Sequence, residues 1–317
     1  MRAAVIEHFG PPSVFELREL PVPRPAPEEV LIALHAAGVG VWDGEIRQGW
    51  WPSGKPKFPL VLGTDGAGIV AAKGSRVRRF QIGERVWAYE FANPKGGFYA
   101  EYVTVKAQHV GRMPRRLDFL QAGAAAVTAL TALQGIQEVL RVRRGETVVI
   151  FGATGAVGTL AVQFAKHRGA RVIATASGPR ASRLVRRLGA RATFDARARD
   201  AVEQLRKLAP RGVDALLALS GGPTLDRCLE LLKDRGRVAY PNGVEPEPKR
   251  RPHHKVESYN AQASARSLAR LAFASDAARL RVPIAVAFPL AQAARAHQRL
   301  ERGRVLGRIV LRIRGGR

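Results

Sequence analysis

The feature that most constrains the fold of this chain is a glycine-rich turn set between an apolar strand and a helix. The strand is the continuous apolar run 147–151, and the helix is predicted over 157–167. A run that is apolar throughout predicts a strand buried on both faces. The turn follows the pattern G-x-G-x-x-G with alanine in the first glycine position, and its residues are Ala153, Thr154, Gly155, Ala156, Val157 and Gly158.

This turn is a candidate binding site for the pyrophosphate of a dinucleotide. Glycine at 155 lets the backbone approach the phosphates, and glycine at 158 lets the helix pack closely on the strand. The amino end of the helix adds free N–H groups and a favourable dipole. Glycine-rich turns also occur without a ligand, but here a strand precedes the turn and a helix follows it, which favours the phosphate site.

Strands and helices alternate after this turn, which predicts a parallel sheet in a doubly wound α/β fold. The predicted strands are 171–175, 213–219 and 236–240, and the predicted helices are 180–188, 201–209 and 225–233. A long loop is expected over 241–255 and an arginine-rich helix over 261–280. Ser220 and Gly243, in the loops after two of these strands, are further candidate cofactor-binding residues.

The first 120 residues have a different pattern, with short strands separated by turn residues. Strands are predicted at 30–37, 66–72 and 83–88, without long helices between them, which is typical of a small β-barrel-like domain. The tail reads as strand, helix and strand, and we assign it to the same domain. The prediction is therefore a barrel domain of residues 1–120 completed by 281–317, a dinucleotide-binding domain of residues 121–280, and a cleft between the two.

The end of the second predicted strand of the parallel sheet favours NADPH over NADH. An NAD site has an acidic residue about 20 residues after the glycine turn, to hold the ribose hydroxyls. Residues 175–180 contain no carboxylate. Ser177 could donate to a 2′-phosphate, and Arg180 or Arg183 could pair with it. These arginines also belong to a general excess of arginine, so the prediction rests mainly on the missing acid.

The net charge of +26 raises the question of a polyanionic partner. The arginines are spread along the whole chain, and no basic run alternates with aromatic residues as a base-stacking surface would. We therefore expect non-specific polyanion binding at low salt rather than a dedicated nucleic-acid surface. Cys228 is the only cysteine, which excludes an intrachain disulfide and a multi-cysteine zinc site. With no apolar run of about 18 residues, a cytoplasmic protein without membrane contact is expected.

Several ordered segments resemble the medium-chain dehydrogenase/reductase superfamily over essentially the full length. They are 58–70 (FPLVLGTDGAGIV), 83–86 (GERV), 97–103 (GFYAEYV), 130–133 (LTAL), 296–303 (AHQRLERG) and 307–311 (GRIVL). The resemblance implies a GroES-like catalytic domain, a Rossmann domain and a homodimer or tetramer, of which we expect the homodimer. It also implies that Thr131 bonds the amide of the nicotinamide.

The same resemblance separates this chain from the zinc-dependent branch of the superfamily. That branch would place a ligand cysteine at Gly40, a ligand histidine at Thr64, an acid at Asp65 and a further ligand near Val127. Its proton-relay hydroxyl would fall at Trp42. Because one carboxylate cannot hold a tetrahedral zinc ion, no metal is expected, and the chain resembles the zinc-free quinone and enone reductases.

The chain also departs from those reductases. They usually have an asparagine at the position of Gly40 and a tyrosine at that of Trp51, and their phosphate-binding lysine and tyrosine would fall near Ala181 and Ala196. Gly40, Trp50 and Trp51 are nonetheless the candidate catalytic positions, with the tryptophans forming an apolar slot for the substrate. Trp42 is expected to be a core aromatic residue.

These features predict a zinc-independent oxidoreductase that uses NADPH to reduce a quinone or an α,β-unsaturated carbonyl compound. Such acceptors take up hydride without a Lewis acid, because the product spreads the charge. The alternative is an NADPH-binding redox sensor or nucleic-acid-binding protein with little turnover. The charge and the departures at Gly40, Ala181 and Ala196 motivate that alternative.

Overall fold

A computed structural model describes residues 1–51 and 55–314 and divides the chain into two compact units. The first comprises Met1–Val127 with Gln262–Arg317, and the second comprises Thr128–Ala261. Among the described helices, none combines the length and apolar character needed to cross a membrane.

The first unit is built mainly of antiparallel strands. Its strands are β1 (Arg2–Ile6), β2 (Glu16–Glu19), β3 (Glu29–Val39), β4 (Leu60–Val61), β5 (Asp65–Lys73), β6 (Arg85–Tyr89), β7 (Tyr102–Lys106), β8 (Val110–Arg112), β15 (Ile284–Pro289) and β16 (Arg308–Arg312). One sheet has the order β2-β1-β4. The other has the order β15-β16-β3-β5-β6-β8, with β7 also paired to β3. The last strand, β16, thus pairs with β3 near the start of the chain, in a register that aligns Ile309 with Val39.

Helices close the first unit at its edges. They are α1 (Val41–Arg47), α2 (Phe119–Gly123), α8 (Ala265–Ala277) and α9 (Ala293–Glu301). The core between the sheets and helices contains fully buried aliphatic and aromatic residues, among them Phe80, Phe98 and Tyr99.

The second unit is a parallel sheet with helices. Its strands are β9 (Thr147–Phe151), β10 (Arg171–Thr175), β11 (Ala192–Phe194), β12 (Val213–Ala218), β13 (Leu232–Pro241) and β14 (Lys255–Tyr259). Its helices are α3 (Ala126–Gln134), α4 (Ala156–His167), α5 (Pro179–Leu188), α6 (Ala201–Leu208) and α7 (Pro223–Cys228). A π-helical turn, Gly135–Val139, continues α3.

The strand order of this sheet is β11-β10-β9-β12-β13-β14. Numbered from the first strand of the unit, this is the order 3-2-1-4-5-6 of the Rossmann fold. The chain winds in one direction from β9 to β11 and in the other from β12 to β14. The reversal therefore falls between β9 and β12, at whose carboxyl ends ligands bind in such sheets.

The structure corrects three details of the predicted elements. Strands β11 and β14 were not expected, and β13 begins at Leu232, where a helix over 225–233 was predicted. Both missed strands lie at the edges of the sheet, and β14 has no fully buried residue, so neither shows the apolar run of a central strand. The predicted helix ends early, as α7 followed by a short 3-10 turn, Leu229–Leu231.

The units also differ from the expected ranges of 1–120, 121–280 and 281–317. Residues 262–280 group with the first unit. Helix α8 packs there against β8, where a β-carbon added at Gly111 would lie 2.9 Å from the side chain of Leu268. The Asp276 carboxylate, at the end of the same helix, accepts hydrogen bonds from the backbone N–H groups of Arg115 and Arg116.

Helix α4 approaches the turn before it so closely that only glycine fits at position 158. A β-carbon there would lie 2.3 Å from the Gly152 carbonyl oxygen and 2.6 Å from the Ala153 α-carbon. Both are backbone atoms, which cannot rotate away. This contact sets the angle at which α4 leaves β9.

We expect Gly158→Ala to lower the free energy of unfolding by about 1–3 kcal/mol, the usual cost of forcing atoms into a packed interior. The matched control is Gly44→Ala on α1, where an added β-carbon would meet nothing within 4 Å. That variant should be unchanged or more stable by up to about 1 kcal/mol, because alanine favours helix over glycine. Thermal unfolding followed by circular dichroism compares the two, and equal stability of both variants would contradict this account.

Candidate functional site

The turn between β9 and α4 forms an open cradle at the amino end of a helix. Gly152 has φ +87°, so the left-handed residue that the turn requires is Gly152, and alanine is accommodated at 153. Gly155 precedes the helix, and no side chain caps its first turn. A β-carbon on Gly155 would meet only the Gly152 carbonyl oxygen, at 3.7 Å. The Gly155 N–H donates to the same Gly152 carbonyl (3.3 Å), so the space beside residue 155 is open while its own N–H is engaged.

Thr175 holds this turn in place and was not among the predicted site residues. It ends β10, it is buried, and its Oγ1 accepts hydrogen bonds from the backbone N–H groups of Gly152 (2.8 Å) and Ala153 (3.5 Å). These bonds fix the turn from the neighbouring strand. The available signal was a hydroxyl residue at the carboxyl end of an otherwise apolar strand.

The segment after β10 carries the residues predicted to select the cofactor. Ser177, Arg180 and Arg183 are all exposed. The Ser177 hydroxyl donates a hydrogen bond to the carboxylate of Asp195, which follows β11. The segment 175–180 has no acid of its own, but the fold brings one to Ser177 from the next strand. With its proton directed to Asp195, Ser177 is an acceptor on its free side rather than the predicted donor.

The loops after β12 and β13 lie at the same edge of the sheet. The Leu219 N–H donates to the Phe151 carbonyl (2.9 Å), which joins the loop after β12 to the end of β9. Ser220 follows and is exposed, and Gly243 lies in an exposed turn after β13 with φ +88°. The structure therefore places the predicted residues Ser220 and Gly243 in loops at the edge that also carries the glycine turn.

Thr131 lies on α3 in the same unit and is largely buried. Its carbonyl oxygen accepts a hydrogen bond from the hydroxyl of Tyr259 (2.9 Å), at the end of β14. That hydroxyl occupies the space that a side chain at Gly135 would need, since a β-carbon there would lie 2.3 Å from it. Burial raises the pKa of Tyr259 above its usual range, so the hydroxyl stays protonated as a donor. Tyr259 thus sets the position of the Thr131 backbone.

In the first unit, Gly40 is at the start of α1 and is held by Asp43. The Gly40 N–H donates to the Asp43 carboxylate (2.7 Å), which caps the helix. Asp43 is fully buried, and burial raises its pKa to about 7 against the opposing effect of Arg308. Asp43 thus orients the start of α1 through the backbone N–H of Gly40.

A buried ion pair lies directly behind Gly40. The Arg308 guanidinium on β16 donates to the Asp65 carboxylate on β5 at 2.9 Å, with both side chains almost completely buried. The second Asp65 oxygen accepts from the Val127 N–H (3.1 Å). A β-carbon on Gly40 would lie 3.2 Å from a guanidinium nitrogen, so the arginine fills the space that a side chain would take.

The zinc-ligand positions inferred from the family hold no set of metal ligands. Gly40 and Thr64 have no metal-binding side chain of the required type, and both Asp65 oxygens are engaged by Arg308 and Val127. Within residues 1–51 and 55–314, no group of three or more histidine, cysteine, aspartate or glutamate side chains is arranged to hold a metal ion.

The tryptophans predicted to form a slot do not all lie in one cluster. Trp42, Trp50 and Phe91 form an aromatic cluster with ring centroids 5.6–5.8 Å apart. Trp50 is 46% exposed, whereas Trp51 packs against the hydrophobic core. The expectation that Trp42 is a core residue is wrong, because its ring is partly exposed and contacts Trp50 and Phe91. Phe91 was not predicted, since nothing in its sequence neighbourhood marks it.

His297 and Cys228, whose side chains could act as an acid, a base or a nucleophile, are buried in the interior. The His297 ring lies 3.2 Å from the Tyr99 hydroxyl, and burial beside Arg47 lowers its pKa to about 3. Burial raises the pKa of the Cys228 thiol to about 11. Neither group is available as a surface acid, base or nucleophile, because both side chains are buried.

The strand order and the glycine turn together define a Rossmann-type unit joined to a second, β-rich unit. The family model described as "Zinc-binding dehydrogenase" matches residues 156–252, and that described as "Alcohol dehydrogenase GroES-like domain" matches residues 26–115. The predicted pairing of a GroES-like domain with a Rossmann domain is confirmed.

Individual proteins agree with these matches over the whole chain. A quinone oxidoreductase of Pseudomonas aeruginosa is 30% identical over 333 residues, covering 96% of this chain and 97% of its own. The structure of Escherichia coli quinone oxidoreductase complexed with NADPH has a TM-score of 0.86 at 26% identity, covering 99% of this chain and 100% of its own. A structure described as an NAD-dependent alcohol dehydrogenase has a TM-score of 0.91 at 31% identity, with the same coverage. The chain belongs to the medium-chain dehydrogenase/reductase superfamily, in its quinone oxidoreductase-like branch.

The burial of Asp43 predicts a pH dependence of stability with a definite sign. Asp43 keeps its proton in the folded protein up to about pH 7, whereas its ordinary pKa is 3.8. Its contribution to stability is therefore fully present below about pH 3.8 and is lost as the pH rises through 7. Each unit of pKa difference corresponds to about 1.4 kcal/mol.

We expect Asp43→Asn to gain stability relative to the parent as the pH rises from 4 to 8, because asparagine still accepts the Gly40 N–H but never ionises. The measurement is the free energy of urea unfolding at several pH values. Asp234→Asn, at an exposed position, is the control and should show a constant difference from the parent. A constant difference for Asp43→Asn as well would contradict the assignment.

Proposed function

We propose that this protein is a zinc-independent reductase that uses NADPH to transfer hydride to a quinone or an α,β-unsaturated carbonyl compound. The observation that carries the proposal is the uncapped amino end of α4 with the open backbone at Gly155. N–H groups at a helix start that no side chain caps, beside a glycine whose added β-carbon would meet one atom at 3.7 Å, are a site for the pyrophosphate of a dinucleotide. A homodimer, as the family resemblance implies, is part of the proposal.

The dinucleotide would lie along the carboxyl edge of the Rossmann sheet, with Gly155–Gly158 against the pyrophosphate. Thr154, Ala156 and Val157 would present backbone N–H groups, and Thr175 keeps the turn in shape through Gly152. When bound, the cofactor supplies the hydride for the reaction. The protein orients it and keeps water away from the reacting atoms.

The preference for NADPH rests on Arg180 and Arg183. Both are exposed on the first turns of α5, and no carboxylate lies within ion-pair distance of either among the described residues. Two free guanidinium groups beside Ser177 favour a 2′-phosphate over a free ribose hydroxyl. Asp195 opposes this preference. Its carboxylate is hydrogen-bonded to Ser177, and its negative charge would repel a 2′-phosphate beside that serine. The two arginines outweigh one carboxylate that is already engaged.

The acceptor is proposed to be a planar conjugated molecule because the first unit exposes an aromatic surface. Trp42, Trp50 and Phe91 cluster at one place on that unit. Trp50 is 46% exposed, and the other two are partly buried. A quinone ring stacks on such a surface with a gain of about 0.5–1.5 kcal/mol per contact. Gly40 and Trp51 stand where the family places substrate-contacting residues. Here Gly40 has no side chain to offer, and Trp51 packs against the hydrophobic core.

Zinc independence is supported by residue chemistry at the family's ligand positions. A catalytic zinc ion needs about three protein ligands with nitrogen, sulfur or carboxylate oxygen donors. Gly40 supplies none, and Asp65 is already neutralised by Arg308 and bonded to the Val127 N–H. The acceptors proposed here spread the charge that hydride brings, so the reaction needs no Lewis acid.

The names of the relatives support the same reaction class and leave the choice of cofactor to be measured. The P. aeruginosa and E. coli proteins are quinone oxidoreductases, and the latter was solved with NADPH. The NAD-dependent alcohol dehydrogenase is equally similar in fold. A second candidate function, a redox sensor that binds NADPH with little turnover, is favoured by the missing asparagine at Gly40.

The purified protein should oxidise NADPH in the presence of quinones such as 1,4-benzoquinone, and chelators should leave the rate unchanged.

We expect Trp50→Ala to lower kcat/KM for the quinone by about three- to tenfold, which corresponds to the loss of one stacking contact. Phe273→Ala is the matched control, since Phe273 is a 77% exposed aromatic residue on α8, and its rate should equal that of the parent. NADPH binding without turnover of any quinone or enone would support the sensor, and loss of stoichiometric zinc together with activity would overturn zinc independence.

NADPH should bind at least about tenfold more tightly than NADH, because a hydrogen bond between charged groups contributes about 1.5–3 kcal/mol. Arg180→Ala and Arg183→Ala should each weaken NADPH binding and leave NADH binding unchanged, whereas Asp195→Asn should strengthen the preference. Arg187→Ala, at an exposed position near the other end of α5, is the control. Calorimetric titration of both cofactors measures this, and equal affinities in the parent would contradict the proposed NADPH specificity.

A further inference from the structure

The second unit has a concave, basic pocket at the end of its sheet opposite the glycine turn. The pocket has a volume of about 510 Å³ and is formed where α4 and α5 end and where β9 and β10 begin. Its polar lining is entirely cationic and consists of Lys166, Arg171, Arg186 and Arg191. No acidic residue lines the pocket. The glycine turn lies at the carboxyl ends of the same strands, so the two sites are separated by the length of the sheet.

The floor of this pocket is backbone. Gly145, Gly169 and Gly189 line it, and all three have positive φ, at +83°, +80° and +124°. These glycines end the turns that lead into and out of the strands, where the left-handed conformation excludes most other residues. A β-carbon on Gly145 would meet nothing within 4 Å, whereas the side chains of Arg144 and Lys166 lie against Gly169 and Gly189. The floor is therefore open at Gly145, and the Lys166 stem covers it at Gly189.

The cations of the pocket are not neutralised by the protein. Among the described residues, no carboxylate lies within 4 Å of the charged groups of Lys166, Arg186 or Arg191, whereas many other basic residues of the chain form ion pairs. Arg171 donates to the Leu208 carbonyl (2.8 Å), which leaves its charge uncompensated. All four are exposed. Like charges gathered without a partner repel one another, and an anion would relieve that repulsion.

Helix polarity explains only part of this cluster. Lys166 and Arg186 lie in the last turns of α4 and α5, where a positive charge is favoured by the helix dipole. Arg171 begins β10, and Arg191 immediately precedes β11, so neither lies in a helical turn. The helix dipole therefore does not explain why Arg171 and Arg191 lie beside the other two cations.

We propose that this pocket binds a small anion with two or more phosphate groups, at a site separate from the dinucleotide site. The backbone N–H groups of Gly169, Gly189, Ala190 and Arg191 are all engaged within the protein, so the cationic side chains must hold the anion. Four flexible cationic side chains can each contact a different group of a chain of linked phosphates, whereas a single phosphate offers them fewer acceptor oxygens. No aromatic residue lines the pocket, which disfavours a nucleic acid, since bases need a stacking surface.

Calorimetric titration of the full-length protein with inorganic tripolyphosphate at low salt tests the proposal. Saturating NADPH is present in one arm and absent in the other. We expect one tripolyphosphate per chain in the arm with NADPH, where the dinucleotide site is occupied, and binding to this pocket with the same affinity in the arm without it. Arg186→Gln/Arg191→Gln should weaken binding in the presence of NADPH by at least about tenfold, because two of the four cations that hold the anion are removed.

The matched control is Arg78→Gln/Arg302→Gln, which removes the same charge from exposed arginines of the first unit and should bind within about twofold of the parent. An equal loss in this control would show that only the overall charge attracts the anion, and would overturn the proposal. Loss of all tripolyphosphate binding under saturating NADPH would place the anion in the dinucleotide site and would overturn the proposal as well. Tighter binding of a 12-nucleotide single-stranded RNA, lost in the pocket variant, would replace the small anion with nucleic acid. Melting temperatures near that of the parent confirm that both variants are folded.

Discussion

The buried ion pair between Arg308 and Asp65 is the interaction on which much of the first unit depends. It joins β16 to β5 across 243 residues of sequence, in a place from which water is excluded. A buried pair contributes little net stability, but removing one partner leaves an uncompensated charge and costs about 3–5 kcal/mol. The neighbouring sequence accommodates the pair. Glycine at 38 and 40 leaves room for the guanidinium, and the Val127 N–H satisfies the second carboxylate oxygen. The departure from the family at Gly40 therefore has a structural cause.

The second unit separates two kinds of chemistry at the two ends of one sheet. At the carboxyl ends of the strands, space is open beside Gly155 and no side chain caps the helix start, so only neutral peptide dipoles are presented there. At the opposite end, the backbone groups are engaged and the charge comes from side chains such as Arg186 and Arg191. The glycine turn and the helix start are backbone and therefore rigid, so they discriminate between ligands by shape. The arrangement at the opposite end is flexible, and salt weakens it more strongly because its charges are exposed to solvent.

Much of the fold could be predicted because its signals are local. The apolar run at 147–151 and the glycines at 155 and 158 sit side by side in sequence, and they predict β9, α4 and the turn between them. The edge strands β11 and β14 could not be predicted, because one face of such a strand meets solvent and the apolar run disappears. Helix α8 was assigned to the wrong unit because its composition fits either one, and only its packing on β8 decides.

The candidate site shows the same division. The glycine positions were predictable because glycine in a turn itself indicates a left-handed backbone or a close approach of another group. Asp195 was not, since the distance from Ser177 to the acid depends on how β11 lies beside β10. The partnership of Phe91 with Trp42 and Trp50 also arises only in three dimensions. Interactions between residues far apart in sequence are therefore where the prediction of this site was incomplete.

The pairing of β16 with β3 has a consequence for how the protein is made. Val39 pairs with Ile309, so the carboxyl half of β3 lacks its neighbour until nearly the whole chain has left the ribosome. At about 5–20 residues per second, the roughly 270 intervening residues take about 15–55 s to synthesise. Throughout that interval an apolar strand edge stays open to pairing with other nascent chains. The Rossmann unit lies entirely between the two strands in sequence and can fold before β3 and β16 meet.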